Sequence, residues 1–251
     1  MSMLFDGTCE IEDIVEIRAR MLANCPRPSS NSGGLWKLRR QTSVAGHNPS
    51  REILLEKAVA MLASHGHMPD WFNQCPVASG IGGSTRYRRR CTDLVHWDAA
   101  DRRLSLVELK WDSDTPSAAV RQILRYGAAY LFCRWHQDRL PVGKRPVMSA
   151  KHVALLVAAP DQYYADDGFR DLLSRARKSL RSIGGEPGAR GPSMSLDALA
   201  FPERFYRLPF GDGAELLASC DRPELTETGR EIVEAFDGLA PVFPDREGAK
   251  E

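Results

Sequence analysis

Between Thr92 and Trp111 the chain reads TDLVHWDAADRRLSLVELKW. Two apolar, β-prone runs are joined by an Asp/Arg-rich turn, the pattern of an antiparallel hairpin. Each run carries an acid where a buried strand has no use for one, and the second ends acid, apolar, lysine. Side chains alternate faces along a strand, so Glu108 and Lys110 point the same way while Leu109 enters the opposite layer. Asp93, on the neighbouring strand, can lie beside them. Two carboxylates brought to one edge repel each other unless a cation joins them. An all-oxygen site of this kind suits Mg²⁺ or Mn²⁺, which keep several waters and recruit substrate phosphate. The competing reading is a cross-strand salt bridge on a solvated face.

The flanking sequence sets this hairpin in an α/β chain. Ser50 is suited to cap a helix whose buried side is Leu54, Leu55, Ala58, Val59, Met61 and Leu62, and which ends at His65-Gly66-His67 and Pro69. Trp71 to Ala78 reads as a strand and Ser79 to Ser84 as a Gly-rich turn. After the hairpin, Pro116 opens a helix with apolar residues at Val120, Ile123, Leu124, Ala128, Leu131 and Phe132. HVALLVAAP then reads as a buried strand, Phe169 to Ile183 as a basic amphipathic helix, GGEPGARGP as a loop, and Phe205 to Phe210 as a last short strand. Upstream, Glu10 to Leu22 has helical spacing and PRPSSNSGG breaks it. The expected organisation is an N-terminal helix and loop arm over 1–49, a core over 50–210 and a C-terminal extension over 211–251. Antiparallel strands followed by a helical crossover to a further strand make a mixed sheet with helices on both faces.

Composition narrows the classes. The chain has 251 residues, 43% hydrophobic and 27% charged, which is enough for a sizeable core and excludes global disorder. The acids near the start do not suit a signal peptide, and the longest apolar stretch, Val153 to Ala159, is far too short to span a membrane. A cytoplasmic protein with no membrane partner is expected. The six cysteines form no C-x-x-C pair and no Cys/His cluster, so neither a zinc site nor a disulfide framework is indicated. A net charge of +1 leaves nucleic acid open as a partner, because a basic face can coexist with an acidic centre.

Further residues join the acidic pair. Lys110 can orient or help deprotonate an attacking water and offset charge on a phosphorane-like transition state. Gln122 and Tyr126 lie i, i+4 on the following helix, both able to bond a phosphate or the lysine; an ordinary amphipathic helix is the alternative. On the first helix Glu56 is a further carboxylate at the rim of the buried stripe, with Glu52 its rival. TRYRRR supplies Arg86, Arg88, Arg89 and Arg90 as phosphate contacts, with Arg102 and Arg103 nearby. GLWKLRRQ supplies Lys37, Arg39 and Arg40 either as a DNA-contacting arm or, through Trp36, as an anchor of the N-terminal segment. His65 and His67 read as structural.

Asp93, Glu108-Leu109-Lys110 and Gln122-Ile-Leu-Arg-Tyr126 together resemble the D…ExK…QxxxY pattern of the PD-(D/E)xK nuclease superfamily, most of all its RecB-type and lambda-exonuclease-type branches. Thr92 stands where many members have proline. The resemblance covers roughly Ser50 to Ala159. It implies a restriction-endonuclease-like αβββαβ core and Mg²⁺-dependent (or Mn²⁺-dependent) phosphodiester hydrolysis. It also implies metal ligation by Asp93, Glu108 and the Leu109 carbonyl, with Lys110 positioning water. DNA is the favoured substrate, and pairing of two chains as a homodimer stays open. The alternative is a catalytically silent nucleic-acid-binding or assembly module on the same fold.

Overall fold

A computed structural model describes residues 35–44, 50–77, 91–137, 142, 144–184 and 191–244, with the backbone alone for 181–184. The first helix, α1 (Arg51–Ser64), starts at Ser50, whose hydroxyl accepts from the Ile53 amide at 3.4 Å. It stops at His65, where Gly66 takes φ +88°, a conformation costly to other residues. There follow β1 (Trp71–Pro76), β2 (Cys91–Asp98), β3 (Arg103–Leu109), α2 (Pro116–Trp135), β4 (His152–Ala159), α3 (Phe169–Gly184), β5 (Ser193–Ala200), α4 (Gly213–Cys220), α5 (Glu227–Asp237) and β6 (Ala240–Pro241). Pro116 occupies the first turn of α2, and Thr115 caps it by accepting from the Ala118 amide at 3.2 Å.

Among the described residues the strands form one six-stranded sheet in sequence order. β1, β2 and β3 are an antiparallel meander, β4 and β5 run parallel to β3, and β6 returns antiparallel to β5. The α2 crossover between β3 and β4 makes that parallel step. No helix among the described residues is long and apolar enough to cross a membrane.

Strand alternation sorts the core into two layers. Val95, Leu104, Leu106, Leu155, Val157 and Leu196 face α2 and α3. Leu94, Val107, Leu109 and Ala158 face α1, α4 and α5. The helices after β5 therefore share a layer with α1: Leu216 and Ile232 join Leu55, Val59 and Leu62 in it. One expectation is corrected here. Phe205 to Phe210 is not a strand, because its first residues lie in a short 3₁₀ turn, Glu203–Arg207, and Pro209 lacks the donor a ladder needs. The strand belongs instead to Ser193–Ala200, where Met194, Leu196 and Ala198 alternate with less buried residues. The segment Glu10 to Leu22 lies outside the described residues.

Candidate active site

Asp93 and Glu108 face each other because of the hairpin register. Leu94 pairs with Val107, so one step further along the ladder Asp93 stands across from Glu108. The Asp93 carboxylate accepts the Leu109 amide at 2.8 Å, a side chain standing in for a ladder carbonyl. By alternation Glu108 projects toward α2, as Leu106 does. Helix α2 comes down close on the sheet at Gly127, where a Cβ would lie 2.7 Å from Leu155. That approach sets Gln122 over β3: its amide donates to Glu108 Oε1 at 2.6 Å and to the Tyr126 hydroxyl at 2.9 Å. Ile123 and Leu124 pack into the α2 layer.

Lys110 completes the cluster. Its ammonium lies 3.1 Å from Glu108 Oε1 and 3.4 Å from Asp114 Oδ2, and its amide donates to the Ala158 carbonyl at 3.0 Å. Among the described residues all the donors to Glu108 thus fall on one of its oxygens. The other, Oε2, is buried with no hydrogen-bond partner. Glu108 is 1% exposed, so bulk solvent does not reach it.

The titration behaviour follows from this burial. Desolvation pushes Glu108 up to about 7, although the ammonium of Lys110 and the bonds from Lys110 and Gln122 pull it down. Burial likewise holds Asp93 well above the ordinary carboxylate range, and the Glu108 charge adds to the effect. Burial alone would lower Lys110, but Glu108, Asp93 and Asp114 outweigh it and keep the amine above its usual value, so it stays an ammonium. Two carboxyls and one cation leave the pair short of positive charge. Among the described residues no third His, Cys, Asp or Glu closes a metal cluster. A cation held by Asp93 and Glu108 would therefore draw its other ligands from main-chain oxygen, water or substrate, as Mg²⁺ and Mn²⁺ commonly do.

The carboxylates of α1 behave differently. Glu56 is 3% exposed, not at the rim, and every oxygen has a protein donor: Lys57 at 3.1 Å and Asn73 at 2.7 Å on Oε1, Gln74 at 2.7 Å on Oε2. Neighbours on a regular strand point to opposite faces, so Asn73 and Gln74 reach one carboxylate only because Gln74 takes φ +50°. Alternation changes phase there, and Cys75 and Val77 enter the α2 layer. Each of the two acts on one member of the acid pair, Glu56 on Asp93 and Glu52 on Glu108. Glu52 accepts from the Trp111 amide at 3.0 Å and from the Ser113 hydroxyl.

Of the basic candidates, Arg86, Arg88, Arg89 and Arg90 lie outside the described residues. Lys37, Arg39 and Arg40 belong to a strap along the outer edge of β1, tied by Trp36 N to the Pro76 carbonyl at 2.8 Å and Asn73 N to the Arg39 carbonyl at 3.1 Å. Arg39 donates to the Gln74 carbonyl, and Arg40 to the Trp71 and Pro69 carbonyls. Trp36 is fully buried, edge-on to Tyr130 with centroids 5.3 Å apart. Trp36 thus anchors this segment, and Lys37, Arg39 and Arg40 are exposed along it. Arg102 donates to the Ser149 carbonyl. His65 and His67 bind Asp221 and the Pro223 carbonyl, fastening α1 to the segment after α4.

Sequence reading missed three groups: Asn73, Gln74 and Tyr163. The first two were hidden in an apparently ordinary strand. Tyr163 follows β4 in the 3₁₀ turn Asp161–Tyr164, and its hydroxyl is buried without a partner. Neither a family model, nor a curated protein, nor a solved structure matches this chain.

Proposed function

We propose that this chain is a divalent-metal-dependent nuclease that hydrolyses phosphodiester bonds, with DNA as the favoured substrate. The observation that carries the reading is Glu108: a buried carboxylate with one oxygen crowded by Gln122 and Lys110, the other without a donor, and a second raised carboxyl opposite it. Such a pair is costly until a cation arrives. The element order α1, three antiparallel strands, α2 and a parallel β4 supports the restriction-endonuclease-like core that the D…ExK…QxxxY resemblance implies.

In this reading Asp93, Glu108 and the Leu109 carbonyl hold Mg²⁺ or Mn²⁺, which when bound lowers the pKa of a water and neutralises phosphate charge. Gln122 fixes the Glu108 rotamer and is itself fixed by Tyr126. Lys110, an ammonium in the free protein, exchanges a carboxylate for the phosphate and the attacking water. Arg86, Arg88, Arg89 and Arg90 hold the nucleic-acid backbone, and substituting the last three together weakens binding and flattens its salt dependence.

The test is the wild type against linear, circular and single-stranded DNA and RNA in Mg²⁺, Mn²⁺ or EDTA. Cleavage that needs the cation supports the proposal. Cleavage that persists in EDTA sinks the metal mechanism. Salt-dependent binding without cleavage of any substrate favours the silent binding module.

A further inference from the structure

Among the described residues Tyr163 is another group with an unpartnered buried atom, and the charge of Glu108 acts on it. The turn that carries it follows β4, the parallel neighbour of β3, so it emerges beside the end of the strand that presents Glu108 and Lys110. Ends of parallel strands of this kind are where α/β sheets receive ligands.

The turn is firmly held. The Tyr164 hydroxyl shares its one proton between the Val157 and Leu199 carbonyls, at 2.8 and 3.0 Å, the Asp161 amide donates to the Tyr206 hydroxyl at 3.1 Å, and the Tyr163 amide to the Pro160 carbonyl at 2.9 Å. The Tyr163 ring packs edge-on to Tyr164, centroids 5.4 Å apart, at the border of the α2 layer. Only its hydroxyl is left without a partner. Burial raises its pKa, and the charges that act on it are those of Lys110, Asp114, Glu52 and Glu108, in that order. The phenol therefore stays protonated, a donor held among the charged groups of the site.

We infer that Tyr163 is a ligand-contacting residue of this site, its hydroxyl donating to an anionic phosphate oxygen that lies beside Lys110. The inference rests on the phosphodiester reading for its ligand class. Lys110 supplies charge to that oxygen and Tyr163 supplies direction, from an element other than the one bearing the two acids. Asp114, with its side chain largely exposed, holds the outer side of Lys110 in the free protein, and the incoming anion takes its place.

The two proposals are separated by measuring Tyr163→Phe in three ways on the full chain. Removing a buried hydroxyl that has no partner leaves the free protein as stable or raises its Tm by about 2–4 °C. Binding of inorganic phosphate with Mg²⁺, followed by calorimetry, weakens about tenfold. DNA cleavage falls about 10²-fold, the loss typical of one preorganised donor. A lower Tm would mean that the hydroxyl has a structural partner, and unchanged phosphate affinity would mean that it touches no ligand; either overturns the inference. A wild type that fails to bind phosphate overturns it too. A wild type that binds phosphate with the expected Tyr163→Phe loss, yet cleaves no nucleic acid, leaves Tyr163 standing and the nuclease reading fallen. Cleavage unaltered by Tyr163→Phe does the reverse.

Discussion

Glu56 and Glu108 are both buried glutamates, 3% and 1% exposed, and each lies against a lysine. At Glu56 the fold supplies a donor to each oxygen, drawn from α1 and β1. At Glu108 the donors gather on one oxygen and the second is left bare. A carboxylate satisfied on both oxygens is part of the architecture, and one left half satisfied among the described residues is open to a further ligand. On the proposed function the contrast makes Glu56 architectural and Glu108 the reacting carboxylate, whereas sequence reading placed both at the reaction centre.

The widest separation is in turnover. Glu108→Ala and Lys110→Ala are each expected to reduce Mg²⁺-dependent DNA cleavage by about 10³-fold or more while leaving the far-UV circular dichroism spectrum unchanged. Glu108→Ala with normal turnover would erase the distinction.

Stability separates the pair in the opposite sense. Glu56→Ala leaves Lys57 buried without its carboxylate and strands the Asn73 and Gln74 amides. A loss of about 3–5 kcal/mol in urea unfolding is expected. If Glu108→Ala costs as much, then Glu108 is architectural as well.

Proton linkage sharpens the contrast. Glu108 titrates above its ordinary value, so the stability that it contributes is complete below its unfolded-state pKa of 4.5 and is lost as pH rises through about 7; Asp93, also raised, acts in the same sense. The metal-free protein should melt lower at pH 8 than at pH 6. Mg²⁺ should raise Tm more at pH 8, where Glu108 is already ionised, and Glu108→Ala should remove most of that gain. An Mg²⁺ effect independent of pH would contradict the assignment of Glu108.

The smallest effect is at Gln74. In most strands alanine is better than glycine, but here the backbone has φ +50°, so Gln74→Gly should be the more stable of the two by about 1 kcal/mol in chemical denaturation. The usual order would mean that the kink relaxes once the bond to Glu56 is gone.

The acid pair was legible because the acids interrupt apolar runs, and Gln122 and Tyr126 because i, i+4 spacing survives any helix. The helix and hairpin order was equally plain. β5 was not: SMSLDALA is built of small and polar residues whose alternation is weak beside the aromatic FYRLPF, which formed a turn instead. Glu56 looked like a rim residue because α1 shows a stripe when read alone. Every residue from Leu54 to Ala63 is buried once β1 and the late helices close around it, and no local signal announces contacts made some 150 residues later. Tyr163 escaped for the same reason, its neighbours being set by β3 and α1.

The change of phase at Gln74 has a bearing on how the molecule opens. By ordinary alternation Trp71 packs in the α1 layer and Phe72 in the α2 layer, and past Gln74 Cys75 and, just beyond the strand, Val77 turn to the α2 layer as well, so β1 is fastened to both halves of the interior and most firmly to the second. Neither α1 nor α2 can lift away without loosening β1 and thereby the opposite layer. Amide protons from the two helices should exchange with solvent through a shared, high-energy opening, and the molecule should breathe as one cooperative unit about its acidic centre instead of as two leaflets.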